Sequence, residues 1–458
     1  MKQKSQTKFI CLFFVMFSAQ YTFGQDSSKA AAPKADTAKP APPKPQNTLT
    51  ISVDMRTRTE LRHGYRVIPT EDTSIAFFTN QRTRLNFDFK TKKFDFYASL
   101  QDTRVWGQQD PREGQGITSP TEATTYPLYM FEVFAEPHFS DKFSVRIGRQ
   151  RIIYDNQRLY AENDWRLPGN SHDAVRLIFN NRINFATEFT AAYNQYAENN
   201  FTTNYKPNGF ANYKTLLVHY LNWKLSKNFT LLTLNTADGF QSSLPNDYQT
   251  TNMRFTSGGR LEYASYNWYV TFSGYYQYGK DSAGKKLDAY YIQPEIKYNS
   301  KAITVRLGLE YLSGHNASKP IDKDNNFVPL YGVAHRFMGN MDLFTTFPAD
   351  VNNAGLVNPY LFLWYQKGKV FLRCENHLFY SQNDFLVNSS PVKKYLGFEN
   401  DWRLNYKFNS FSEIETGFSW AAVTDAMITI KKGGDSKAFP YWFYLSLKFT
   451  PTIARFSF

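Results

Sequence analysis

The sequence predicts an all-β fold: a transmembrane antiparallel β-barrel of about 18 strands with short periplasmic turns and long extracellular loops. Three observations predict it. The chain opens on an export signal; the rest is rich in aromatics yet polar overall; and strands of alternating character are joined by connections that are short and long in turn.

Residues 1–24 carry Lys2, Lys4 and Lys8, an apolar run over residues 9–17, and the small residues Ser18, Ala19 and Gly24. That is the layout of a secretory signal peptide cut near Gly24. The run is too short to cross a bilayer, which takes about 20 apolar residues. Cys11 lies inside the run with no small residues before it, so a lipid-anchored reading is not preferred. Removal of the signal leaves Cys374 as the only cysteine, and no intramolecular disulfide can form. Residues 25–48 are Ala, Pro and Lys with no large apolar side chain, and are expected to form an extended periplasmic tether.

Residues 49–458 contain no linker-like shift in composition and read as one barrel domain. Aromatics make up 17% of the chain while the mean hydropathy is negative, which fits a wall with an apolar lipid face and a wet lumen. A soluble sandwich would show shorter and more evenly spaced strands. The chain has 53 Lys and Arg against 40 Asp and Glu. The signal holds three of the lysines, and the tether holds four more and two of the aspartates. The barrel domain therefore keeps 46 basic and 38 acidic residues, an excess that favours anionic solutes if it faces the lumen. Nucleic acid is excluded as a partner by export.

In a barrel wall, successive side chains face lipid and lumen alternately. Residues 49–62 place Leu49, Ile51, Val53 and Met55 on one face and Asp54, Arg56, Arg58, Glu60 and Arg62 on the other. A charge facing lipid costs about 2–4 kcal/mol at the midplane, so the charged series is assigned to the lumen. The same pattern puts Arg82, Arg84 and Asp88 inward opposite Leu85, Phe87 and Phe89, and recurs at Arg306 and Glu310, at Arg373, Glu375 and His377, and at Glu399, Asp401 and Arg403. Residues 215–235 alternate only weakly.

Short turns are expected at residues 91–93, 140–142, 180–182, 226–228, 264–266, 299–301, 367–369 and 409–410. Longer connections lie between them, the longest over residues 313–357. This asymmetry is typical of outer-membrane barrels. The terminal Phe458 resembles the mark read by outer-membrane assembly machinery, although Pro451 is expected to end the last strand at residue 450.

Residues 148–165 spell GRQ, then Tyr154, then Arg158 and Leu159, then Asp164 and Trp165; Asp173, Arg176 and Leu177 follow, and LQDTRVWG precedes at residues 100–107. Together they resemble the signature of the alginate export family. The resemblance implies an 18-stranded outer-membrane channel whose arginine-lined constriction passes an anionic uronate polymer. It carries substrate-binding roles onto Arg104, Arg149, Arg151, Arg158, Asp173 and Arg176. The alternation adds the lumen residues Arg56, Arg58, Arg82 and Arg84. Some family members have a long periplasmic turn able to plug the pore. Here every such turn is short, so a gate must come from the long loops or from a partner.

Guanidinium groups offer planar donors that match carboxylates and stay charged at every relevant pH. A ladder of moderate sites, tempered by Asp54, Asp88, Glu132, Glu188, Glu310 and Glu399, would hand an acidic polymer along, because conduction needs binding that is also easily left. The plain alternative is that lumen charges pair and hold the wall and loops in shape. Trp106, Tyr160 and Trp165 are candidates for stacking on sugar rings, or for membrane-interface anchors.

No catalytic motif, cofactor motif or metal-ligand spacing stands out. The DKDNN segment at residues 322–326 has Phe327 and Val333 where a calcium loop needs Gly and Glu, and reads as a loop tip. The expectation is a passive, non-enzymatic channel in the outer membrane for an anionic polysaccharide or its oligomers, without cofactor. Its other partners would be outer-membrane lipid, the assembly machinery and periplasmic secretion proteins. A general small-anion porin, a barrel enzyme and a loop-based binding scaffold are the competing readings.

Overall fold

The computed structural model describes residues 47–107, 128–195, 198, 200, 212–244, 247 and 249–458. The expected signal peptide and nearly all of the expected tether lie outside these residues. The first strands are β1 Thr48–His63, β2 Ala76–Lys90, β3 Phe94–Val105, β4 Leu128–Ser140, β5 Phe143–Gln150 and β6 His172–Asn180. β7 Phe185–Tyr193, β8 Thr215–Lys224, β9 Phe229–Gln241, β10 Thr251–Ser265, β11 Trp268–Lys280 and β12 Lys286–Asn299 follow. The last are β13 Ile303–Leu312, β14 Leu356–Lys367, β15 Val370–Ser381, β16 Tyr395–Lys407, β17 Ser412–Val423 and β18, which runs as Tyr441–Phe449 and then Thr452–Ser457. Each strand pairs antiparallel with the next and β18 returns to β1, so the 18 strands close a barrel with no free edge.

Closure also revises the reading of the chain's end. The β1–β18 register runs without a break from Met55–Phe449 to Ser52–Thr452 across Pro451, and shifts only at Ile51. Pro451 keeps its carbonyl in the ladder, accepting from Val53 N at 3.0 Å, so its missing N–H does not end the strand. The last strand reaches Ser457, and Phe458 exchanges backbone hydrogen bonds with Asn47.

Alternation sorts the wall. Leu361, Leu363 and Tyr365 of β14 are exposed outward, while Asn358, Tyr360 and Phe362 are buried inward. The short turns fall where the alternation changes strand, and two long connections, residues 151–171 and 313–355, turn back into the barrel. Ile152, Tyr160, Leu167, Met341, Leu343 and Phe344 of these loops are fully buried, so the lumen holds an apolar core of its own. The helix α1, Asp425–Lys431, lies in the loop before β18. It buries Ala426, Met427 and Ile430, and its Lys431 reaches the Leu343 carbonyl and Asp350 of the second inward loop.

Candidate functional site

The first inward loop is clamped by the wall arginines that the alternation assigns to the lumen. Asp164 accepts from Arg82 Nη1 at 2.6 Å and from Arg84 Nη1 at 2.8 Å, and Arg82 also holds Asp54 at 2.9 Å. Arg58 Nη1 donates to the Trp165 carbonyl at 3.0 Å, lies 4.4 Å above the Trp165 ring, and binds Glu60 through Nε at 2.8 Å. Arg56 reaches the same carbonyl at 3.2 Å. Burial opposes the charge of Asp164, yet Arg82, Arg84 and Arg56 hold its carboxyl well below the usual range. The side chains of Arg82, Arg58, Arg84 and Arg56 are 0, 4, 6 and 10% exposed, which leaves little of them for a solute.

The inward arginines of the signature are used in the same way. Arg151 bridges Glu132 at 2.8 Å and Glu162 at 2.5 Å; Arg158 binds Glu310 at 2.9 Å; Arg176 pairs with Glu188. Asp155 of the loop takes Arg260 of β10 at 2.7 Å. This loop is a brace whose ionic groups are matched.

Parity corrects three other assignments. On β5 and β6, Ile147, Val175 and Leu177 point outward and are exposed, and Arg149 and Asp173 belong to the same series. They form a two-pronged pair at 2.9 and 2.7 Å on the outside of the barrel. Arg104 shares the outward series of Phe94, Phe96 and Leu100 on β3, and pairs with Asp102 at 2.8 Å. None of the three lines the lumen. The stacking candidates move too. Trp106 is exposed outside, with Nε1 on Gln81; Tyr160 is wholly buried; and Trp165 is packed 4.3 Å from the parallel ring of His335.

The second inward loop docks on the first and on the wall of β14 and β16. Tyr331 N donates to the Leu159 carbonyl at 2.9 Å, and Gly332 passes so close that a Cβ there would meet the Arg158 carbonyl. Met341 N donates to Glu399 at 2.7 Å, Asn340 N to Asp401 at 3.1 Å, and Asn358 Nδ2 to the Phe337 carbonyl at 2.9 Å. The loop thereby presents Arg336. Arg336 is exposed within the barrel and makes no hydrogen bond or ion pair among the described residues. Enclosure by the surrounding barrel pushes its pKa down, Glu162 pulls it back, and the nearby charges of Arg403, Arg306 and Arg373 push it down further.

Those three wall arginines each have a carboxylate: Arg306 with Glu295 at 2.5 Å, Arg403 with Glu375 at 2.6 Å, and Arg373 with Glu415 at 2.9 Å. Arg336 thus adds an unmatched positive charge beside a paired cluster. The sequence signalled Arg306, Arg373 and Arg403 only as inward members of alternating strands. Arg336 carries no periodic signal at all, because its place depends on the loop folding inward. The DKDNN loop tip is occupied by its own contacts, with Lys323 on Asp288 and Asn326 on Asp324, and no cluster of metal-ligating groups occurs among the described residues.

Barrels of known structure share this architecture. OccK3 (OpdO) of Pseudomonas aeruginosa aligns at a TM-score of 0.57 and 12% identity, covering 89% of this chain and 96% of that one. OccAB1 of Acinetobacter baumannii aligns at 0.59 and 12%, covering 89% and 97%. OpdK of Pseudomonas aeruginosa, solved with vanillate, aligns at 0.57 and 9%, covering 88% and 98%. At such identities the likeness is one of fold. No curated protein sequence matches the chain. The model of the alginate export family matches residues 47–346, which include the signature segment, both inward loops up to Thr346, and Arg336. The chain belongs to the alginate export family, and is an integral outer-membrane channel rather than an enzyme.

Proposed function

We propose that the barrel conducts an anionic polysaccharide of the polyuronate type, or its oligomers, past Arg336. The observation that carries this reading is the unmatched guanidinium of Arg336, held inside the barrel by a docked loop beside Arg306, Arg373 and Arg403. A carboxylate arriving there finds a free planar donor, while the neighbouring pairs Arg306–Glu295 and Arg403–Glu375 keep attraction moderate. Transport is passive, driven by synthesis or by gradient. The tether over residues 25–48 would lie in the periplasm, within reach of secretion partners.

A second reading, a porin for small anions, is favoured by how fully the two loops pack the lumen. One experiment separates the two. The purified protein is placed in a planar bilayer under a salt gradient, and polymannuronate oligomers are added to one side. Anion-selective current blocked by oligomers at concentrations that leave chloride current otherwise untouched supports the polyuronate channel. Anion-selective current indifferent to the oligomers supports the small-anion porin, and cation-selective current removes both.

A further inference from the structure

Two aromatic side chains face the lumen near its periplasmic end and are neither fully packed nor turned to lipid. Trp364 is the inward residue of β14 closest to the turn at Gly368 that is half-buried, and Phe371 stands on the adjoining strand β15. Their rings meet edge to face, with centroids 5.9 Å apart at 89°. The Arg306 guanidinium lies 4.7 Å from the Trp364 ring, and that of Arg373 lies 4.9 Å from the Phe371 ring. Above them, Phe362 continues the series, nearly parallel to Trp364 at 6.5 Å, and is buried. Trp364 Nε1 donates to Glu375 at 2.9 Å, the carboxylate that also holds Arg403, which fixes the indole against the charged cluster.

We infer that Trp364 and Phe371 form a sugar-ring subsite on the periplasmic side of the Arg336 cluster, taking a pyranose bearing a carboxylate. A flat apolar surface suits the C–H face of a sugar ring, and since Arg306 and Arg373 are held by Glu295 and Glu415, the neighbouring Arg336 is the guanidinium left to take the acid group of the same or the next sugar. A simple inorganic anion would use only Arg336. A uronate uses both, so the subsite gives the channel a preference for sugar acids over other anions. The inference deepens the polyuronate reading and rests on it. Both aromatic residues lie beyond the stretch matched by the family model, which ends at residue 346.

The test compares three full-length proteins in planar bilayers: wild type, Trp364→Leu and Trp364→Phe. Each is first shown to be folded by its heat-modifiable mobility on gels. Both variants lose the hydrogen bond to Glu375, but only the leucine loses the ring. The expected result is that Trp364→Leu weakens block by oligomannuronate about tenfold. Trp364→Phe stays close to wild type, and block by a non-sugar tricarboxylate is the same in all three. Equal loss in both variants, parallel loss for the tricarboxylate, or no loss in Trp364→Leu overturns the subsite. The reversal potential in the same recordings reports separately on the underlying reading: a wild-type channel that is not anion-selective ends both, whereas selectivity retained without the ring effect ends the subsite alone.

Discussion

Arg82 reaches Asp164 with Nη1 at 2.6 Å, a pair that joins the second strand of the wall to the apex of the first inward loop. Arg82 is wholly buried, and Arg84 and Arg56 converge on the same carboxylate. The loop that carries the family signature is thus held in the barrel by wall arginines, and those arginines are thereby withdrawn from the solute.

Replacing Asp164 with Asn leaves Arg84 and Arg56 without their carboxylate, while Arg82 retains Asp54. Removing one partner of a buried pair costs about 3–5 kcal/mol, and the retained Asp54 contact puts the expected loss at about 3 kcal/mol. The check is the urea midpoint of unfolding in detergent, together with protease cleavage within residues 151–171. Both should move toward instability.

Arg149→Gln and Arg104→Gln are expected to leave ion selectivity unchanged. Both side chains lie on the outside of the barrel, in exposed pairs with Asp173 and Asp102. Exposed pairs of this kind contribute about 0–1 kcal/mol, so stability should hardly move. Reversal potentials of the two variants against wild type make the comparison, and a large shift in either would contradict the outward assignment.

The second loop should loosen on acidification. His335 Nδ1 lies 2.7 Å from Asp342 while its Nε2 is buried without a partner. Burial pushes the imidazole below its ordinary value of 6.5, further than Asp342 raises it. A released loop therefore takes up the proton first. The stabilising contribution is present above 6.5 and is lost as pH falls from there through the lowered folded value. Amide exchange at Asn340 and Met341, corrected for its intrinsic pH dependence, should accelerate between neutral pH and about 5 in wild type. It should do so much less in His335→Asn.

Gly339 adopts φ +85° where the loop turns over Glu399, and a Cβ there would stand 2.3 Å from the carboxylate. Gly339→Ala combines left-handed strain with a clash at the acceptor of Met341 N, and should cost about 1–3 kcal/mol. Thermal midpoints in detergent provide the measure, with increased open-channel noise as the functional counterpart.

The wall was legible because lipid and water sort side chains residue by residue. Ile51, Val53 and Met55 against Asp54, Arg56 and Arg58 give the parity of β1 directly, and the short turn at residues 91–93 is located where the parity of β2 restarts on β3. The same parity carries the correction at β5, since Val145, Ile147 and Arg149 fall on one face. The signature drew Arg149 inward, and the alternation places it outside. Pro451 misled because a proline inside a strand usually marks its end, whereas here only its carbonyl is needed by β1. What the loops do inside the barrel had no periodic trace. The contacts of Asp164 with Arg82, and of Met341 N with Glu399, join residues far apart in the chain, and they decide that Arg336 is left without an ion-pair partner among the described residues.

The most direct measurement is the reversal potential of Arg336→Gln in a planar bilayer under a salt gradient, beside wild type and Arg149→Gln. An anion-selective wild type is expected, with a marked shift toward zero when Arg336 is neutralised and no shift when Arg149 is. Selectivity unchanged in a folded Arg336→Gln channel would contradict that expectation.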